Sequence, residues 1–154
     1  MRTQSYAWRS NRRGFSLLEV SVVLVIAGIV GSMSAGRFHD LIVQQRVARA
    51  ATAVQNDLEA AFATAARNRK PVRISWSAST MQLNVTSRDG SRTYRHTGLG
   101  RDAYGLTSSA VSVSQSPVEV FPNGLAADTL LVTLSMNNTT KRVRMTRAGL
   151  VQIQ

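Results

Sequence analysis

Apolar positions along the chain fall into three successive patterns, and each predicts a different element. From Phe15 to Gly36 the sequence is almost unbroken in its hydrophobicity, with Glu19 the one charge among 22 residues. At about 1.5 Å of rise per residue, roughly 20 helical residues cross a hydrocarbon core of about 30 Å, so this run predicts a single membrane span over 15–36. Beyond it, Val47, Ala51, Val54, Leu58, Phe62 and Ala65 recur at spacings of four, three, four, four and three, the stripe of an amphipathic helix. The first proline is Pro71. The two patterns therefore join into one predicted helix from Phe15 to about Asn68, roughly 54 residues and about 80 Å long. The stripe lasts less than three heptads, too short for a coiled-coil seam, so the second half is expected to pack on a sheet.

From Pro71 onward the period falls to two. Val72, Ile74 and Trp76 share one strand face, Met81, Leu83 and Val85 another, and Asp89-Gly90 signals a tight turn into a strand over Arg92–His96. The alternation continues through Val111/Val113, Val118/Val120, Leu130/Val132/Leu134, Val143/Met145 and Val151/Ile153, with hairpin turns expected at Asn137-Asn138 and Ala148-Gly149. Residues 97–109 are polar, contain Gly98, Gly100 and Gly105, and read as a loop. One long helix followed only by strands predicts an α+β fold with antiparallel sheets packed on the helix.

Composition narrows the chemistry. With 154 residues the chain holds one modest domain, and with no cysteine it has neither a disulfide framework nor a thiolate metal site. His39 and His96 stand alone, so each reads as a surface histidine, and Trp76, alternating with Ile74, reads as core. No nucleotide-binding glycine loop, metal-ligand spacing or nucleophile with base and orienting acid is present, so neither an enzymatic activity nor a cofactor is expected. The charge is strongly basic, 19 Lys plus Arg against 8 Asp plus Glu. Four arginines (Arg2, Arg9, Arg12, Arg13) precede the apolar run, and without them 15 bases still face 8 acids, a balance of +7. Such an excess suits anionic partners as well as plain solubility. Arg142 and Arg144 alternate with Val143 and Met145, which puts both on one solvent face, with Lys141 and Arg147 at the hairpin's ends. This basic edge offers a surface for an anionic partner. Arginine there also serves to block unwanted strand pairing.

Glu19 is the residue that a plain anchor would not need, because a carboxylate within a lipid-spanning helix costs on the order of 3 kcal/mol. An ordinary secretory signal would instead be cut after the apolar run, where Gly31-Ser32-Met33-Ser34-Ala35 offers small residues. Arg12-Arg13-Gly14-Phe15-Ser16-Leu17-Leu18-Glu19 followed by the long apolar run resembles the class III signal of type IV pilins and type II secretion pseudopilins, with Ser16 in place of the more usual Thr. The resemblance implies a leader over 1–14, a transmembrane and assembly helix over 15–36, and a periplasmic pilin-like domain over 37–154. It implies cleavage between Gly14 and Phe15 by the prepilin peptidase, N-methylation of Phe15, and Glu19 as the assembly carboxylate. Glu19 then becomes the fifth residue of the mature chain, one helical turn from a new amine that a neighbouring subunit's carboxylate can pair with. The arginines on the two sides of the span nearly balance, so a single-pass orientation in the bacterial inner membrane with a periplasmic body also rests on the resemblance.

Val118-Glu119-Val120-Phe121-Pro122-Asn123-Gly124 followed by Leu130–Leu134 further resembles the C-terminal domain shared by pseudopilin H and FimT-like minor pilins. In that reading Phe121 plugs the core and Gly124 permits a turn. The function implied is a minor pseudopilin of a type II secretion system, with the other pseudopilins and the inner-membrane assembly platform as partners. The alternative is a FimT-like minor pilin that binds DNA for transformation. The basic Gly-Arg-x-Arg element associated with that activity is not reproduced, since the sequence here reads Arg147-Ala148-Gly149-Leu150.

Overall fold

The structure, a computed structural model, describes the chain from residue 16 to residue 154, apart from the side chains of 33–39. Gly14 and Phe15, the expected processing site, lie outside the described residues, as does the side chain of His39. The chain divides between His39 and Asp40 into two units.

The predicted helix is present as α1, Leu17–Asn68. Ser16 caps its start: the Ser16 Oγ accepts the Leu18 N–H at 3.3 Å, and the Ser16 carbonyl accepts the first helical bond from Val20 N–H at 3.1 Å. At the other end Arg67 sits in the last turn, where a cation is favoured by the helix dipole. Arg69 adopts φ 52°, in the left-handed region, and its N–H returns to the Ala66 carbonyl. Pro71 then forbids a further turn.

In the second unit α1 lies against two four-stranded antiparallel sheets. The first comprises β1 (Val72–Ser77), β2 (Gln82–Ser87), β3 (Thr93–Gly98) and β5 (Val118–Val120), ordered β3-β2-β1-β5. The second comprises β4 (Val111–Val113), β6 (Leu130–Met136), β7 (Thr139–Met145) and β8 (Val151–Ile153), ordered β4-β6-β7-β8. Register puts the alternating residues face to face: Ile74 opposes Val85 and Val118, while Val132 opposes Val143 and Val113. Val47, Val54, Leu58 and Ala65 of α1 are fully buried in the same cluster as these strands, so the helical stripe and the sheet faces form one core.

Three expectations change. Met81 is outside β2, in a turn at φ 51°, so the strand face is carried by Leu83 and Val85. Residues 97–109 are not a plain polar loop: β3 runs to Gly98, a short helix α2 spans Arg101–Tyr104, and Leu99 and Leu106 are fully buried. Phe121 does not plug the core. It is half-buried in a turn, and Val118, Val120 and Ala126 fill the place expected for it.

Gly124 and Gly149, at φ 81° and 83°, bring the turns 121–125 and 146–150 into contact, joined by the Ala126 N–H to the Arg147 carbonyl at 2.9 Å. A Cβ on Gly149 would stand 2.5 Å from the Gly124 carbonyl oxygen and 3.5 Å from the Phe62 ring. Gly149→Ala is therefore expected to cost about 2 kcal/mol through left-handed strain and backbone displacement. Chemical unfolding of the variant measures it, and unchanged stability would show that the two turns separate freely.

Candidate assembly site and basic surfaces

Glu19 lies in the first turn of α1, where the dipole favours a carboxylate. Ser16 and Glu19 also have the spacing of a capping box, a signal the sequence reading passed over. Glu19 makes no hydrogen bond or ion pair among the described residues. Beside it Glu19, Val20, Val23 and Leu24 line a shallow concavity of about 270 Å³ on the helix surface. Large apolar side chains from Leu17 (88% exposed) to Val30 (59% exposed) stand uncovered along this part of α1. Burying such a side chain is worth about 1.5–3 kcal/mol, so the whole row in water is unfavourable by on the order of 10 kcal/mol. Among the described residues no helix is long and apolar enough to cross a membrane.

The structure separates the four basic residues that the sequence grouped. Arg142 and Arg144 do share the solvent face of β7, opposite Thr133 and Leu131. Lys141 opposes the fully buried Leu134, so it points to the helix side of the sheet and lines a hollow with Leu41 and Gln45. Arg147 is in the exposed β7–β8 turn. Moreover, β7 lies between β6 and β8, so Arg142 and Arg144 guard no strand edge. The alternation fixed their face, but the edge assignment fails because β8 covers β7.

A second basic surface has no counterpart in the sequence reading, because its residues come from distant segments. Lys70, Arg73, Arg88 and Arg92 surround a cleft of about 570 Å³ at one end of the first sheet. Glu119, opposite Arg73 in the β1–β5 ladder, neutralises two of them, with 3.4 Å contacts to both Arg73 and Arg88. The Arg92 guanidinium stands 5.4 Å from the centre of the Tyr94 ring, within cation–π range. Asp89, in the β2–β3 turn, accepts hydrogen bonds from the Ser87 and Ser91 hydroxyls, which hold its carboxyl down to about 2.

A long helix packed on antiparallel sheets gives the chain a pilin-like fold. The prokaryotic N-terminal methylation motif matches residues 9–35. That stretch is well under half of the chain, so the match describes the N-terminus and leaves the domain behind it to the structure. In fold the chain is similar to the type IV minor pilin FimU of Pseudomonas aeruginosa (strain PAO1) in space group P21, with TM-score 0.57 and 14% identity over 71% of this chain and 89% of that one. The same pilin in space group P65 gives TM-score 0.53 at 14% identity, over 69% and 90% of the two chains. No curated protein sequence matches the chain.

Proposed function

We propose that the chain is a minor subunit of a type IV pilin-like filament, made as a membrane-held precursor and assembled after processing. Prepilin peptidase cuts between Gly14 and Phe15, Phe15 is N-methylated, and Glu19 pairs with the amine of a neighbouring subunit. The apolar part of α1 passes from the inner membrane into the filament core, and the domain from residue 37 onward faces the periplasm. The observation that carries this reading is the coincidence of the methylation motif at 9–35 with an uncovered apolar helix surface and a carboxylate that has no partner among the described residues.

Within that class the strand and Phe-Pro-Asn-Gly turn at 118–124 support a pseudopilin of a type II secretion system, most like the H subunit. There it would join the other pseudopilins on the inner-membrane platform, in a short filament that drives export of folded proteins. Likeness in fold to FimU supports the second reading, a minor pilin of a type IV pilus. In the DNA-binding form of that reading, Arg142 and Arg144 are the available residues, since they lie free on a solvent face.

A strain lacking the gene tests both. Loss of extracellular enzyme activity with normal piliation and transformation is the expected result. Normal secretion with lost pili or DNA uptake would replace it with the second reading. Purified mature protein beginning at methylated Phe15 is expected in either case, and an intact residue 1–14 segment would overturn the class itself.

A further inference from the structure

Three arginines from two segments of the second unit meet around one concavity, and although Asp102 also lines it none of them is ion-paired among the described residues. Arg46 and Arg49 are one helical turn apart on α1, and Arg101 arrives from α2; with Asp102, Tyr104 and Gly105 they line a concavity of about 420 Å³. None of the three guanidiniums has a carboxylate within ion-pair distance among the described residues, where the ion pairs involve Arg73, Arg88 and Arg95. Gly105 closes α2 at φ 75°, and a Cβ there would stand 3.1 Å from Arg46 Nη1, so this guanidinium lies against the loop backbone. Tyr104 is half-buried with its ring packed on the core.

Guanidinium forks match the oxygens of a phosphate, and three of them around one concavity suit a bound phosphate group better than a lone carboxylate. Chain connectivity identifies the source. Arg46 follows Gly36, the end of the expected membrane segment, by ten residues. Ten residues reach about 15 Å as helix and at most about 35 Å extended, which tethers the cluster near a headgroup layer. The larger cleft at Lys70 lacks this placement, and Glu119 already holds two of its cations.

We propose that Arg46, Arg49 and Arg101 bind the phosphate of an anionic phospholipid headgroup and hold the second unit on the membrane surface before assembly. The inference rests on the membrane-held reading above. Each basic residue near an anionic surface is worth roughly a fivefold gain in binding, so the three together bring on the order of 100-fold.

The test uses the full chain reconstituted in vesicles of phosphatidylcholine alone, or of phosphatidylcholine mixed with phosphatidylglycerol, with amide hydrogen exchange read at Arg101–Gly105. Exchange at least about tenfold slower in the phosphatidylglycerol vesicles is expected, lost in the Arg46→Ser/Arg49→Ser/Arg101→Ser variant and reduced by salt. All three side chains are exposed, so the variant should fold, and Arg101→Ser alone is expected to lose part of the slowing. Equal exchange in the two lipids, or slowing that survives the triple change, overturns the proposal. Slowing in phosphatidylcholine on adding inorganic phosphate or duplex DNA overturns the lipid source. A chain that floats with both vesicles but shows no lipid-dependent slowing refutes this inference alone. A chain that floats with neither refutes the membrane-held reading as well.

Discussion

Glu19→Ala is expected to leave processing and membrane insertion intact and to remove the chain from the filament. The carboxylate is the one charge in the apolar run and has no partner among the described residues, so nothing in the first unit depends on it for folding. Its removal even lowers the cost of holding the helix in lipid by on the order of 3 kcal/mol. In the proposed assembly the same carboxylate meets a neighbour's amine in an apolar surrounding, where breaking the pair leaves that amine uncompensated. A loss of about 3 kcal/mol there corresponds to roughly a 100-fold drop in incorporation. Immunoblots of sheared filaments against the membrane fraction measure it, with the variant expected to accumulate in the membrane. Glu19→Gln, which keeps the shape and the helix propensity, is expected to fail equally. Either variant in filaments at the wild-type level would reduce Glu19 to the helix-capping role that its spacing from Ser16 also permits.

The elements were legible because each apolar pattern has one period, and the period alone decides helix or strand. Val47, Ala51, Val54, Leu58 and Ala65, with Ile74, Val85, Val132 and Val143, are buried as their spacing requires, while Phe62 is half-buried. Hairpin neighbours were legible from their turns, at Asp89-Gly90, Asn137-Asn138 and Ala148-Gly149, but neighbours distant in sequence were not. Alternation assigns a face but no partner, so it does not reveal that β5 returns beside β1 or that β4 pairs with β6. Leu99 and Leu106 escaped for another reason: each stands alone among Gly98, Gly100 and Gly105, and only the way the chain drapes over the core buries them. At the site, Glu19 stood out as a charge in an apolar run, visible without any fold. The Arg46–Arg49–Arg101 concavity did not, since its members are up to 55 residues apart and a solvated arginine looks the same in sequence as one lining a hollow.

Asp57 and Arg95 are the clearest case of information that only the fold supplies, and Arg95→Ala is expected to destabilise the second unit strongly. Asp57 is 1% exposed on the core side of α1, and its oxygens accept no hydrogen bond; the ion pair from Arg95 Nε is its compensation. Arg95 reaches it because it opposes Val85 in the β2–β3 ladder and therefore enters on the core face, next to a register shift at Val85/Thr86. Truncating Arg95 strands a buried carboxylate. The expected loss is about 3 kcal/mol, the lower end of the range for a broken buried pair, because the Arg95 side chain is 52% exposed and partly screened. Asp57→Asn should cost less, about 1 kcal/mol, since Arg95 can turn to water. Pairing Arg95→Thr with Asp57→Leu should restore most of the stability, because no charge is then buried. Denaturant unfolding of the three variants beside the parent chain measures these losses, and an Arg95→Ala loss no greater than that of Asp57→Asn would sink the account. The same arginine has a second consequence, since β3 is the outer strand of its sheet. An inward charge beside a bulge keeps a foreign strand from adding there, so Arg95→Ala chains are expected to aggregate through β3 at temperatures where Asp57→Asn chains stay soluble.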